Sequence, residues 1–231
     1  MRQIFVDSRD RVSGTSCDFS IMLPQTLALS GGHQGRIDDL RIPVTVPTIS
    51  TGNDLIWTRM GAQDYESTIP TGQYESGAAL AQAIQQALSN VPGAWTVVYD
   101  PRNLTLGFAC SNGYSFIGGN WMEKLLARPH HYNGSSGYLF SYVPLQGLDV
   151  CYLCCPQFSH LDSVGPKGAS DCLCSVPITA GFGSVQAYSM SSSVFFDLPA
   201  ITTQQLTFEL RDRDYKILSL VPNISFTLTI D

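Results

Sequence analysis

Charge is scarce in this chain. Charged residues make up 14% of its 231 residues, against roughly 25% in an average soluble domain. Lys and Arg number 13 and Asp and Glu 19, for a net charge of −6. There is thus no overall basic field to hold nucleic acid or an anionic membrane. The one local basic cluster, Arg2, Arg9 and Arg11, is interrupted by Asp7 and Asp10. It reads as a solvated segment or as an N-terminal arm that touches a neighbouring subunit. No apolar run reaches membrane-spanning length, and the opening MRQIFVDSRD lacks the apolar stretch of a signal peptide. The expectation is a chain made and kept in a reducing space, with the sequons at Asn103, Asn133 and Asn223 unmodified.

Catalytic signatures are missing as well. The chain has no Gly-x-Ser-x-Gly, His-Glu-x-x-His, Walker or dinucleotide fingerprint. Of the four histidines, His33 and His160 stand apart from the adjacent His130 and His131. On an extended chain only one of that pair could face a shared site, so both read as loop residues. Asp38 with Asp39, and Asp212 with Asp214, are the paired carboxylates. The latter, in a charged RDRD between two strand-like runs, read as turn formers with self-compensating charge and only weakly as a calcium site. Gly118, Gly119 and Asn120 lack a lysine at phosphate-binding spacing and read as a capping turn. No catalytic, cofactor-binding or metal-binding residue is assigned, and an enzyme is not expected.

Seven cysteines are present. Cys151, Cys154, Cys155, Cys172 and Cys174 crowd into CYLCC and CLC, far from Cys17 and Cys110. A zinc ribbon needs two turns that aim paired thiolates at one ion. Here the first group lies in a strand-like run that points Cys151 and Cys154 to opposite faces. The Cys172–Cys174 pair falls on one face of an extended segment, too stretched for a knuckle. Buried or half-buried free thiols are the expectation, with metal or disulfide as the alternatives, and the odd count argues against a complete disulfide framework.

Alternation is what the chain has in abundance. Phe19, Ile21 and Leu23 alternate before Pro24, where the run is expected to end, and Arg36–Pro47 carries another alternating set. Near the C-terminus Leu206, Phe208 and Leu210 alternate, then after RDRD so do Phe226, Leu228 and Ile230. These last two runs read as a closing hairpin that ties the C-terminus into a sheet. Short strands with turn signals about every 8–12 residues fit a β-sandwich or jelly roll. One amphipathic helix interrupts them, with Leu80, Ile84 and Leu88 on one face and Ser76 as cap. WTVVY and LTLGFA around Asp-Pro-Arg-Asn follow as a hairpin. A shorter helix is expected over Trp121–Ala127, and Tyr138, Phe140 and Tyr142 suggest a strand with one aromatic face. With 20 Gly, 13 Pro and 44% hydrophobic residues, the composition suits either a sandwich with many neutral turns or a subunit that buries its exterior against neighbours.

The run IPTGQYESGAALAQAIQQAL followed by WTVVYDPRNLTLGFA, carried by Ile69, Pro70, Gly72, Tyr74, Leu80, Ile84 and Leu88, resembles a module of capsid proteins in the double-jelly-roll virus lineage. WMEKLLARP is similar to the segment that follows it there, although Arg128 and Pro129 depart from the pattern. In length the chain resembles the minor capsid, or penton, proteins of Polinton-like viruses, virophages and adintovirus- or adomavirus-like elements. The resemblance implies an all-β fold, a single jelly-roll sandwich with one inserted amphipathic helix and a short second helix. It implies one capsid domain over 1–231, with a helix–hairpin insertion at about 69–109 and a loop-rich segment at about 110–149. It further implies homopentamers at the vertices of an icosahedral virion, in contact with major capsid capsomers, with no cofactor, no specific nucleic acid and no membrane span. Another virion cement or fibre-anchoring jelly-roll protein, or a carbohydrate-binding jelly roll, is the alternative. The motif residues read as structural: Gly72 for a turn, the three helix residues for packing. Interface residues cannot be assigned by motif.

Overall fold

Residues 1–120, 132–134, 145–159, 164–219 and 221–231 are described by the structure, a computed structural model. In chain order the strands are β1 (Arg2–Asp7), β2 (Ser13–Gly14), β3 (Asp18–Leu29), β4 (Gln34–Pro43), β5 (Leu55–Met60) and β6 (Gln63–Thr68). Helix α1 (Gly77–Ala87) precedes β7 (Trp95–Asp100), β8 (Thr105–Cys110), β9 (Tyr114–Gly118) and β10 (Tyr132–Gly134). The series closes with β11 (Val150–Cys154), β12 (Cys172–Pro177), β13 (Val185–Tyr188), β14 (Phe196–Asp197), β15 (Ile201–Arg211) and β16 (Ser225–Ile230). Two compact units result: Met1–Val46 with Leu148–Asp231, and Pro47–Gly147.

The first unit is a two-sheet sandwich. One sheet runs β1-β16-β4-β13, with β14 also pairing β4, and the other runs β12-β11-β15-β3-β2. Numbering the successive strand positions of this unit one to eight, with β2–β3 and β13–β14 each as one position, the orders are 1-8-3-6 and 2-7-4-5. That is the double Greek-key order of a jelly roll. The fold is all-β of jelly-roll type. Inward residues of both sheets, among them Phe19, Leu27, Ile37, Leu153, Phe208 and Leu228, form one core, as period-two patterning demands.

The C-terminal runs do not form the expected closing hairpin. β15 pairs with β3 and β11, whereas β16 lies between β1 and β4 in the other sheet. Two alternating runs separated by a charged turn satisfy a sandwich crossover as well as they satisfy a hairpin, because each still sends one face into the shared core. Pro24 does not end its strand either. β3 continues to Leu29, and the register slips opposite it between Thr203 and Gln205. At such an irregularity a residue without an N–H leaves no ladder bond broken. A second slip, in the β16–β4 register, accompanies Asp39 at φ 51°. It explains why the buried positions of β4 change parity, from Ile37 to Leu40 and Ile42.

The second unit follows β4 in sequence and precedes β11, and the expected helix–hairpin segment 69–109 lies inside it. It holds a sheet ordered β10-β9-β5-β6, the β7–β8 hairpin and α1. The Ser76 side chain accepts a hydrogen bond from the Ala79 amide at 3.2 Å, as an N-cap does. Leu80, Ile84 and Leu88 pack into a core with Ile56, Phe108 and Phe116. Gly77 lets the first turn approach Tyr99, whose ring lies 2.3 Å from where a Cβ would stand. The expected helix over Trp121–Ala127 and the Tyr138–Phe140–Tyr142 run fall outside the described residues.

Candidate functional site

The module residues of the second unit lie in its core and in the turn before its helix. Ile69 is buried, and Tyr74 Oη donates to the Pro70 carbonyl at 2.7 Å. Gly72 exchanges backbone hydrogen bonds with Ile49, at 2.9 and 3.1 Å. Thr48 ties both ends of the unit: its hydroxyl donates to the Leu145 carbonyl at 2.6 Å and accepts from the Tyr74 amide at 3.3 Å. Gly119 and Asn120 dock on the start of β5, where Asn120 Oδ1 accepts from the Leu55 amide at 2.7 Å. A Cβ at Gly119 would stand 2.3 Å from the Leu55 carbonyl oxygen, so glycine is needed for this tight turn.

The carboxylate pairs separate in the same way. Asp38 accepts from Arg36 and from the Thr229 hydroxyl, while Asp39 takes the left-handed turn position. Asp212 accepts from the Lys216 amide at 2.9 Å within the turn after β15. His33 Nδ1 lies 2.8 Å from the Asp231 carbonyl oxygen, and the other three histidines are outside the described residues. In the N-terminal basic cluster Arg9 is paired with Asp7, and Arg11 donates to the Ser8 carbonyl. Among the described residues, no group of three or more His, Cys, Asp or Glu side chains is arranged to hold a metal ion.

Titratable chemistry gathers at one place, the loop end of the β11–β12 hairpin. All seven cysteines are buried, and none is in a disulfide. Cys151, Cys155 and Cys174 belong to the sandwich core, and Cys154 and Cys172 do not. The expected one-sided Cys172–Cys174 pair is broken by a register slip between Leu153 and Cys154: Leu153 opposes Cys174, the next pair is Cys154 with Cys172, and Leu173 is the extra residue. Cys154 and Cys172 therefore stand opposite each other across the ladder, and the Cys172 thiol donates to the Cys174 carbonyl at 3.7 Å.

A polar chain surrounds this pair. Tyr215 donates its single hydroxyl proton to Asp171 Oδ1 at 2.5 Å, so its oxygen accepts from the Cys154 thiol at 3.2 Å. The Arg211 guanidinium lies 4.3 Å over the Tyr215 ring, 3.6 Å from Asp171 and in contact with Glu209. The Cys172 contact and burial hold the Cys154 thiol protonated far above its ordinary range. Cys172 is lowered by its contact with Cys154, against the opposing effect of burial. Burial also lifts Tyr215, helped by its bond to Asp171. An open cleft of about 430 Å³ adjoins the pair, lined by residues that include Tyr152, Val164, Pro166, Cys172 and Cys174. The arrangement holds a thiol pair beside a neutral phenol. Sequence patterning missed Asp171, Arg211 and Tyr215, which no motif marks and which the fold brings together from separate segments.

A different surface feature lies on the other sheet, whose two edges both carry exposed apolar side chains. Phe5 on edge strand β1 is 78% exposed, and Val185 on edge strand β13 is 55% exposed. Phe182, Val194 and Phe195, from the segments flanking β13 and β14, are exposed too.

The strand order defines the class of protein, a jelly roll with a 47–147 unit between its third and fourth strand positions. No family model matches the chain, and no curated protein does. Among solved structures, the crystal structure of the selenomethionine-labelled mavirus penton protein is similar, with a TM-score of 0.49 and 9% identity over 100% of this chain and 99% of that one.

Proposed function

We propose that this chain is a structural subunit of an icosahedral virion, a minor capsid or penton protein that forms homopentamers at the vertices and meets major capsid capsomers there. The observation that carries the reading is the jelly-roll strand order with the Ile69–Leu88 module built into the unit between β4 and β11. Surface chemistry supports it. A ring repeats one heterologous interface, so each subunit needs two different patches on different sides. Phe5 at one edge of the β1-β16-β4-β13 sheet, and Val185 with Phe182 at the other, supply exposed apolar surface at opposite edges of a weakly charged chain.

In this reading the protein acts by assembly, and no residue is assigned a catalytic role. The test is electron microscopy of the purified chain. Class averages with five-fold rings are expected. Isolated monomers or two-fold dimers at every concentration would remove the pentamer reading.

A further inference from the structure

We propose that Cys154 and Cys172 form an oxidation site, at which hydrogen peroxide converts the two thiols into a cross-strand disulfide at the loop end of the β11–β12 hairpin. The proposal does not depend on the capsid reading. Its first support is register. The two residues are direct partners on neighbouring antiparallel strands, where Cα atoms lie about 4.5–5.5 Å apart. Disulfides span Cα separations of about 4.4–6.8 Å. No other two cysteines are register partners: Cys151 faces Val176 and Cys174 faces Leu153.

The second support is access. Cys172 lines the open cleft, while Cys154 lies behind it, fully buried against Tyr215. Gly165 lets the connecting segment lie against the pair, since a Cβ there would sit 3.0 Å from the Cys172 Cβ. Lys167 fixes that segment through a hydrogen bond to the Asp214 carbonyl. Cys174 also borders the cleft, but its side chain belongs to the core and burial keeps it protonated.

The division of roles follows from the same contacts. Cys172 is the one of the two that lines the cleft, and the nearby Arg211 charge favours its thiolate. That thiolate attacks one peroxide oxygen, the O–O bond breaks, and hydroxide leaves, giving a sulfenic acid. The Cys154 sulfur then attacks the sulfenic sulfur, the S–S bond forms and the sulfenic oxygen leaves as water. The Cys154 proton and the one first released by Cys172 end in water, so two thiols and one peroxide give one disulfide and two waters. Tyr215 loses the hydrogen bond from Cys154 and keeps Asp171, so no buried charge is created.

The experiment treats the folded chain with hydrogen peroxide, blocks free thiols, and maps the unreduced digest by mass spectrometry. One linkage, Cys154 to Cys172, is expected, with the loss of two hydrogens from the intact mass and reversal by dithiothreitol. Closing this loop should raise Tm by roughly 5–10 °C. A linkage between other cysteines such as Cys151 and Cys174, sulfinic acid on an unlinked Cys172, a fall in Tm, or no oxidation would each overturn the proposal. Cys154→Ser keeps a hydroxyl toward Tyr215 and should halt the reaction at a Cys172 sulfenic acid that dimedone traps. If Cys172 in this variant is instead found in a disulfide with another cysteine, or takes up no dimedone, Cys154 is not the resolving thiol and the proposal fails.

Discussion

Cys151 and Cys155 illustrate how single residues record the core. Both lie in the sandwich interior, where burial pushes each thiol up to about 12. The unfolded chain releases the same protons near pH 8.5. Stability is therefore intact below about pH 8.5 and falls as pH rises toward 12, because only the unfolded state loses protons in that window. Each thiol contributes about 1.4 kcal/mol of loss per pH unit. Urea midpoints measured across this range should fall more steeply for the wild type than for Cys151→Ala with Cys155→Ala; equal slopes would contradict the assignment. At this scale the sequence was partly readable. The clustered thiols were expected to be buried or half-buried, and they are buried. The meeting of Cys154 with Cys172 was hidden, because it depends on one extra residue in the β12 ladder, and a slip of one position reverses which face a side chain takes.

Among the elements, β16 shows what alternation can and cannot say. Phe226, Leu228 and Ile230 were readable as a half-buried strand, and they are buried. Their partners were not readable: strand pairing in a jelly roll is set by crossovers between sheets, and Gln204–Asp231 contains no local signal that separates a crossover from a hairpin. The helix and the hairpin after it were legible throughout, from the Ser76 cap to the β7–β8 turn, because their determinants lie within a few residues of each other. The position of β16 has a measurable consequence. Its amides, bonded to β1 on one side and β4 on the other, should be among the slowest to exchange in the first unit, and those of edge strand β13 among the fastest. Hydrogen exchange followed by mass spectrometry reads this directly. Exchange of Phe226–Ile230 as fast as that of Val185–Tyr188 would contradict the assigned sheet order.

For the whole molecule, composition and topology point the same way. A chain with so little charge and exposed apolar side chains at both edges of one sheet is suited to bury those edges against copies of itself. All-β architecture was readable from the spacing of strands and turns. The candidate surface was not, since Phe5, Phe182 and Val185 look like any other apolar residue until the strand order puts them at edges. The account's central claim is assembly, and solution mass by light scattering tests it most directly. A species of five times the 25.2 kDa chain mass is the result the account predicts. A 25.2 kDa monomer that persists at high concentration, whatever the salt and pH, would contradict it.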